Sequence, residues 1–145
     1  MNDSRWLLYA VLSAVAAAGV PIFGKLGMER ADATVATAVR SAVMTLFLLA
    51  VATALGAWQH LAGLRGRAGW MVLLSGLAGA ASWLFYFHAV KLGRVSQVAA
   101  VDKLSVPLAA ILAFALLRER PGPINWAGIA LVVAGAYLAA LPAKG

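Results

Sequence analysis

Two opposite charges, Asp102 and Lys103, stand side by side inside Val95–Leu117, an otherwise hydrophobic run. A third, Arg40, lies eight residues into another such run. A carboxylate in that setting can take up and release a proton, and a guanidinium or ammonium can hold an anion. Ionisable groups inside an apolar span are functional-site candidates for these reasons. They are also costly. On insertion scales each charge costs roughly 2.5–3.5 kcal/mol near the centre of a span, and each Leu, Ile, Val or Phe returns about 0.3–0.6 kcal/mol. The roughly eleven such residues in Val95–Leu117 little more than cancel its two charges. Such a helix needs neighbours. The competing reading is an ion pair that only holds a bundle together. Pro107 adds an irregularity, because its missing N–H is expected to leave the Lys103 carbonyl without its helical donor.

The elements that must position these groups are membrane spans. The chain is 63% hydrophobic and 12% charged over 145 residues, which excludes a soluble domain. No Cys is present, so there is neither a disulfide framework nor a thiolate metal site. The net charge of +7 would suggest nucleic acid in a soluble protein. Here the basic residues flank hydrophobic runs, so they read as membrane anchors and nucleic acid is not an expected partner. Two isolated His residues, His60 and His88, give no metal-ligand spacing, and no cofactor is expected. No nucleophile–base pair marks an enzyme. One domain, residues 1–145, is expected, all-α and integral to the membrane, with spans near 6–28, 33–58, 69–89, 95–117 and 124–141.

The first span follows the anchor pair Arg5–Trp6 and contains Pro21, Gly24 and Lys25. A cleaved signal peptide is the disfavoured reading of this segment, since its removal would strand the remaining spans. The stretch GVPIFGK over Gly19–Lys25 imitates a phosphate loop, but Leu26 replaces the Ser or Thr that would bind Mg²⁺ and no strand precedes it. In the second span Thr34, Thr37, Ser41 and Thr45 share a face with Arg40 at its edge. Hydroxyls on a membrane helix commonly bond back to their own carbonyls, so Arg40 is the stronger sign of a cavity. In the third span Ser75, Gly79, Ser82 and Tyr86 fall on one narrow face. Close helix packing explains the small residues. The functional reading makes Ser82, Trp83 and Tyr86 a wall of the substrate path. The fifth span carries Gly128, Gly135 and Ala139 along one smooth ridge, which reads as a packing surface and not a ligand site.

The stretch VDKLSVPLAAILAFALLRERP over 101–121, followed by NWAGIALVVAG over 125–135, resembles the end of an EamA domain of the drug/metabolite transporter superfamily. The segment ATAVRS over 36–41 and Lys25 are similar to single-domain, five-span members of that family. The resemblance covers essentially the whole chain. Full-length members carry two such domains in inverted orientation, with ten spans. It therefore implies half of a ten-helix transporter, completed by a second copy in an antiparallel homodimer, in a bacterial inner membrane and surrounded by its lipids. The implied activity is transport of small organic metabolites or drugs by alternating access. A non-transporting structural or regulatory subunit, or one half of a heterodimer, are the alternatives. The Gly128/Gly135 spacing also resembles the dimerising helix of the small multidrug resistance transporters. Their proton-coupling carboxylate lies in the first helix, where this chain has none.

Two further expectations follow from span order. The second and fourth spans enter from the same side, so Arg40 and Asp102 both lie at roughly 10 Å depth and can pair, leaving Lys103 unpaired and open to an anionic substrate. Asp102 is the carboxylate available for proton coupling. Counting loops, one side carries Arg5, Arg65, Arg67, Arg118 and Arg120, and the other carries Lys25, Arg30, Lys91, Arg94 and Lys144. Asp3 and Glu119 face Glu29 and Asp32. With no excess of Lys and Arg on either side, insertion in both orientations is expected.

Overall fold

The computed structural model describes residues 5–141, and Asp3 and Lys144 lie outside the described residues. The described chain is helical. Helix α1 spans Arg5–Gly27, α2 Ala33–Ala54, α3 Arg67–Leu92, α4 Val95–Asp102, α5 Ser105–Leu112 and α6 Pro123–Ala140. A 3₁₀ helix, Ala57–Leu64, links α2 to α3, and a π-helical turn, Ala113–Leu117, ends α5. Counting α4, α5 and the π turn as one segment, five helices are long and apolar enough to cross a membrane. Large apolar side chains such as Phe23, Leu46, Phe85, Leu116 and Leu131 are exposed along these helices. A bilayer solvates such a surface, which water would not.

The chain divides into two compact units, Met1–Lys91 and Leu92–Gly145. In the first unit the buried residues Pro21, Met28, Ala33, Thr37, Phe87 and Val90 come from the end of α1, the start of α2 and the end of α3. Three side chains fix that end. Lys25 Nζ donates to the carbonyls of Val90 (2.6 Å) and Lys91 (3.1 Å), satisfying acceptors at the C-terminus of α3 where the helix dipole favours a cation. Lys91 Nζ returns across the gap to the carbonyl of Ala31 at 2.7 Å. Asp32 caps α2, accepting from the N–H groups of Thr34 (2.8 Å) and Val35 (3.2 Å). Those bonds, that of Val35 foremost, hold its carboxyl below the usual range. Three hydroxyls of the α2 stripe are satisfied within their own helix. Thr37 bonds to Ala33 O, Ser41 to Thr37 O and Thr45 to Ser41 O at 2.7–2.9 Å.

The second span is shorter than the sequence suggests. It ends at Ala54 instead of Trp58, because Gly56 takes a left-handed conformation (φ 62°) that stops the helix. Trp58 then folds back, its indole N–H donating to Thr53 Oγ1 at 3.0 Å.

In the second unit α4 packs along α6, and Gln97 Nε2 bonds to the carbonyls of Ala140 and Leu141 at 3.1 Å, capping the C-terminus of α6. The fourth span is broken between Asp102 and Ser105. Here the expectation for Pro107 is corrected. The Lys103 carbonyl does have a donor, the N–H of Val106 at 3.0 Å, because the backbone tightens into a 3₁₀-type turn ahead of the proline. After the π turn, Arg118 lies at φ 59°, and Glu119 N–H bonds back to Ala113 O at 3.3 Å. A side chain at this left-handed cap costs about 1 kcal/mol that glycine avoids. Arg118→Gly is therefore expected to raise stability by up to about 1 kcal/mol in a detergent melting experiment.

Candidate functional site

Along α1, Ala16, Val20, Phe23 and Gly27 recur at spacings of four, three and four, which puts them on one face. That face and the Val35–Val39–Arg40 side of α2 enclose a cavity of about 610 Å³, with Phe87 of α3 also in its wall. The volume is that of a pocket for a drug-sized molecule. Glycines open the α1 side. Gly19, Gly24 and Gly27 all line the cavity, and at Gly27 a methyl group would meet nothing within 4 Å. Gly24 is needed for a different reason: a methyl there would overlap the ring of Phe87.

Arg40 is the charged residue of the wall. Its guanidinium carbon lies 3.8 Å above the centre of the Trp83 ring and 5.2 Å from that of Phe87. These distances lie within the range of cation–π attraction. The rings support one another. Trp83 and Phe87 stack at 5.7 Å, and Tyr86 stands edge-on to both at 5.6 and 5.7 Å. Arg40 thus does not reach outward to an interface; its guanidinium sits over an aromatic platform. Its Nη1 is buried and has no hydrogen-bond partner in the described structure. A desolvated guanidinium nitrogen left in that state is costly, so an acceptor that reached it would be stabilising.

The other residues expected on the substrate path are distributed as follows. Trp83 and Tyr86 belong to the aromatic platform and are half-buried, whereas Ser82 is exposed. Asp102 and Lys103, in the second unit, contact each other at 3.5 Å, with 37% and 61% of their side chains exposed. Lys103 is therefore not the unpaired charge that the sequence suggested. The break after Asp102 lets adjacent side chains turn toward each other, although 3.5 Å is looser than the about 2.7–2.9 Å of a charge-assisted hydrogen bond. Phe87 and the glycine face of α1 escaped the sequence reading. The signal for Phe87 was available in the stripe Trp83–Phe87–Val90, at spacings of four and three. Gly128, Gly135 and Ala139 are exposed on α6, and methyl groups at the two glycines would meet nothing within 4 Å.

A model of the EamA-like transporter family matches residues 4–141. The chain belongs to this family. Among curated proteins, this EamA-like chain is 40% identical over 139 residues to a Sinorhizobium protein described as an uncharacterized transporter in the cobO 3′ region, covering 96% of this chain and 99% of the relative. It is 32% identical over 105 residues to a UPF0060 membrane protein of an Acidovorax strain, covering 70% of this chain and 94% of that relative. No solved structure gives a significant match. Family and relatives together make this an integral membrane protein of transporter type, and they point to transport in preference to catalysis.

Proposed function

We propose that the chain is one subunit of an antiparallel homodimer that moves small organic metabolites or drugs across a bacterial inner membrane by alternating access. The observation that carries this reading is the cavity between α1 and α2, open, apolar and with a cation in its wall. A subunit that served only to brace a complex would gain nothing from 610 Å³ of space between two spans. Two inverted copies would place a pair of such cavities about an axis in the membrane plane, a common transporter design. The exposed ridge of Gly128, Gly135 and Ala139 offers a surface on which the copies can approach closely.

Asp102 is the group assigned to coupling, since a carboxylate within a span can exchange a proton between the two sides. Purified protein in liposomes, tested with solutes selected by thermal shift, should accumulate solute under an imposed pH gradient. Asp102→Asn should abolish the dependence on the gradient. PH dependence that survives in Asp102→Asn removes the coupling role. Folded protein that moves none of the selected solutes supports the structural-subunit reading instead.

A further inference from the structure

We propose that the α1–α2 cavity binds organic anions, a single carboxylate or comparable anionic head on a flat apolar body, with Arg40 as the specificity-determining residue. The inference rests on the transport reading for its biological purpose, but the binding site stands on geometry alone. Three features define the ligand. The walls contributed by Val20, Phe23, Val35 and Val39 are apolar, so the body must be apolar. The cation in the wall is a guanidinium, which keeps its charge at any physiological pH and offers a planar fork that matches a carboxylate. One nitrogen of that fork, Nη1, is already desolvated and lacks an acceptor.

Three other charges at this end of the unit are engaged elsewhere. Lys25 and Lys91 donate to main-chain carbonyls, and the Asp32 carboxylate accepts two main-chain N–H groups. Among the described residues no carboxylate lines the cavity to neutralise Arg40. The Trp83 ring holds the guanidinium from one face. The guanidinium is thereby held in place, so less side-chain freedom is lost when an anion docks than for a free side chain. A cation would meet repulsion, and a neutral amide could accept from the guanidinium only through its carbonyl oxygen, without the charge and the paired geometry that a carboxylate brings. The volume suits one or two fused rings with a short acidic arm, and is too small for an entire two-chain lipid.

The test is binding of 1-naphthoate against its neutral isostere 1-naphthamide, by calorimetry on the full chain in nanodiscs of zwitterionic lipid. Wild type should prefer naphthoate at least tenfold. Arg40→Gln should lose that preference while retaining the weak, shared apolar affinity, and Arg40→Lys should recover only part of it. Gly27→Leu, at a cavity-lining position where a Cβ meets nothing within 4 Å, should weaken both ligands and guards against an Arg40 variant that fails to fold. Equal binding of the two ligands to wild type overturns the proposal, as does a naphthoate preference that persists in Arg40→Gln. Repeating the titration with anionic lipid in the nanodisc separates the sources of the anion. Unchanged naphthoate affinity supports a free organic anion, and its abolition assigns Nη1 to a lipid headgroup and overturns the claim. The result is separable from transport: binding without flux defeats the transporter reading and leaves the site, whereas flux of neutral solutes without naphthoate binding does the reverse.

Discussion

Gly24→Ala, a single added methyl, is expected to lower the melting temperature of the wild-type protein and to raise that of a Phe87→Ala variant. The reversal follows from one contact. A Cβ at position 24 would overlap the ring of Phe87. That ring is 2% exposed, stacked on Trp83 and edge-on to Tyr86, so it has no free direction in which to swing. Forcing extra volume into such a site costs about 1–3 kcal/mol. Removing the ring also destabilises. In water-soluble cores Phe→Ala costs about 3–5 kcal/mol, part of it for transfer to water. In a bilayer the transfer part shrinks and the lost packing contacts remain, so a smaller loss, about 2–3 kcal/mol, is expected. With the ring gone the methyl has room, and alanine's advantage over glycine inside a helix, about 1 kcal/mol, becomes visible. A double-mutant cycle on detergent-solubilised protein, followed by circular dichroism, should therefore give a coupling of at least about 1 kcal/mol with opposite signs for Gly24→Ala in the two backgrounds. Additive effects would show that α1 and α3 do not meet at this contact. Arg40 provides a second readout, because Phe87→Ala removes half of the stacked pair beneath it.

The same residues show what the sequence made legible. Arg40, Asp102 and Lys103 stand out because a charge in an apolar run has contrast, and each drew attention for that reason. The five apolar helices and their order were readable from composition. The cavity was not. In a soluble helix the inward face is apolar and the outward face polar, so periodicity reveals the core. In a membrane helix both faces are apolar, and the face of α1 that lines the cavity looks like the face that meets lipid. Trp83 shows the intermediate case. The sequence marks it for a wall of the path, and the structure adds the guanidinium that lies over it, since an aromatic residue signals an interaction but not its partner. Pro107 shows a rule applied too locally. The lost N–H is real, but the backbone supplied Val106 in its place by tightening one turn.

The second large effect concerns orientation. Each loop charge acts during insertion through its presence near the membrane, whether or not it later finds a hydrogen bond, so Lys25 and Lys91 still count although both are bonded to carbonyls at one end of the first unit. The tally is five basic residues on either side, with Lys144 among them from the sequence alone. A two-residue change is thus enough to decide the outcome. Two lysines added to the C-terminal tail should drive that end to the cytoplasm, and two added beside Arg65 should drive it outward, each in most molecules, as read by a C-terminal reporter active on only one side. If the working unit is an antiparallel homodimer, each biased form alone should lose nearly all liposome flux, whereas co-expression of the two should restore it. Stability should not follow flux: each biased form should melt close to wild type, because the added lysines lie outside the folded spans. Flux that persists in a fully biased form would remove the antiparallel requirement. A reporter confined to one side in the unmodified protein would point to an oppositely oriented, related chain as the missing half. The balance of charges would then have to be weighed in the pair, since each member of a heterodimer needs a bias of its own and only their sum can vanish.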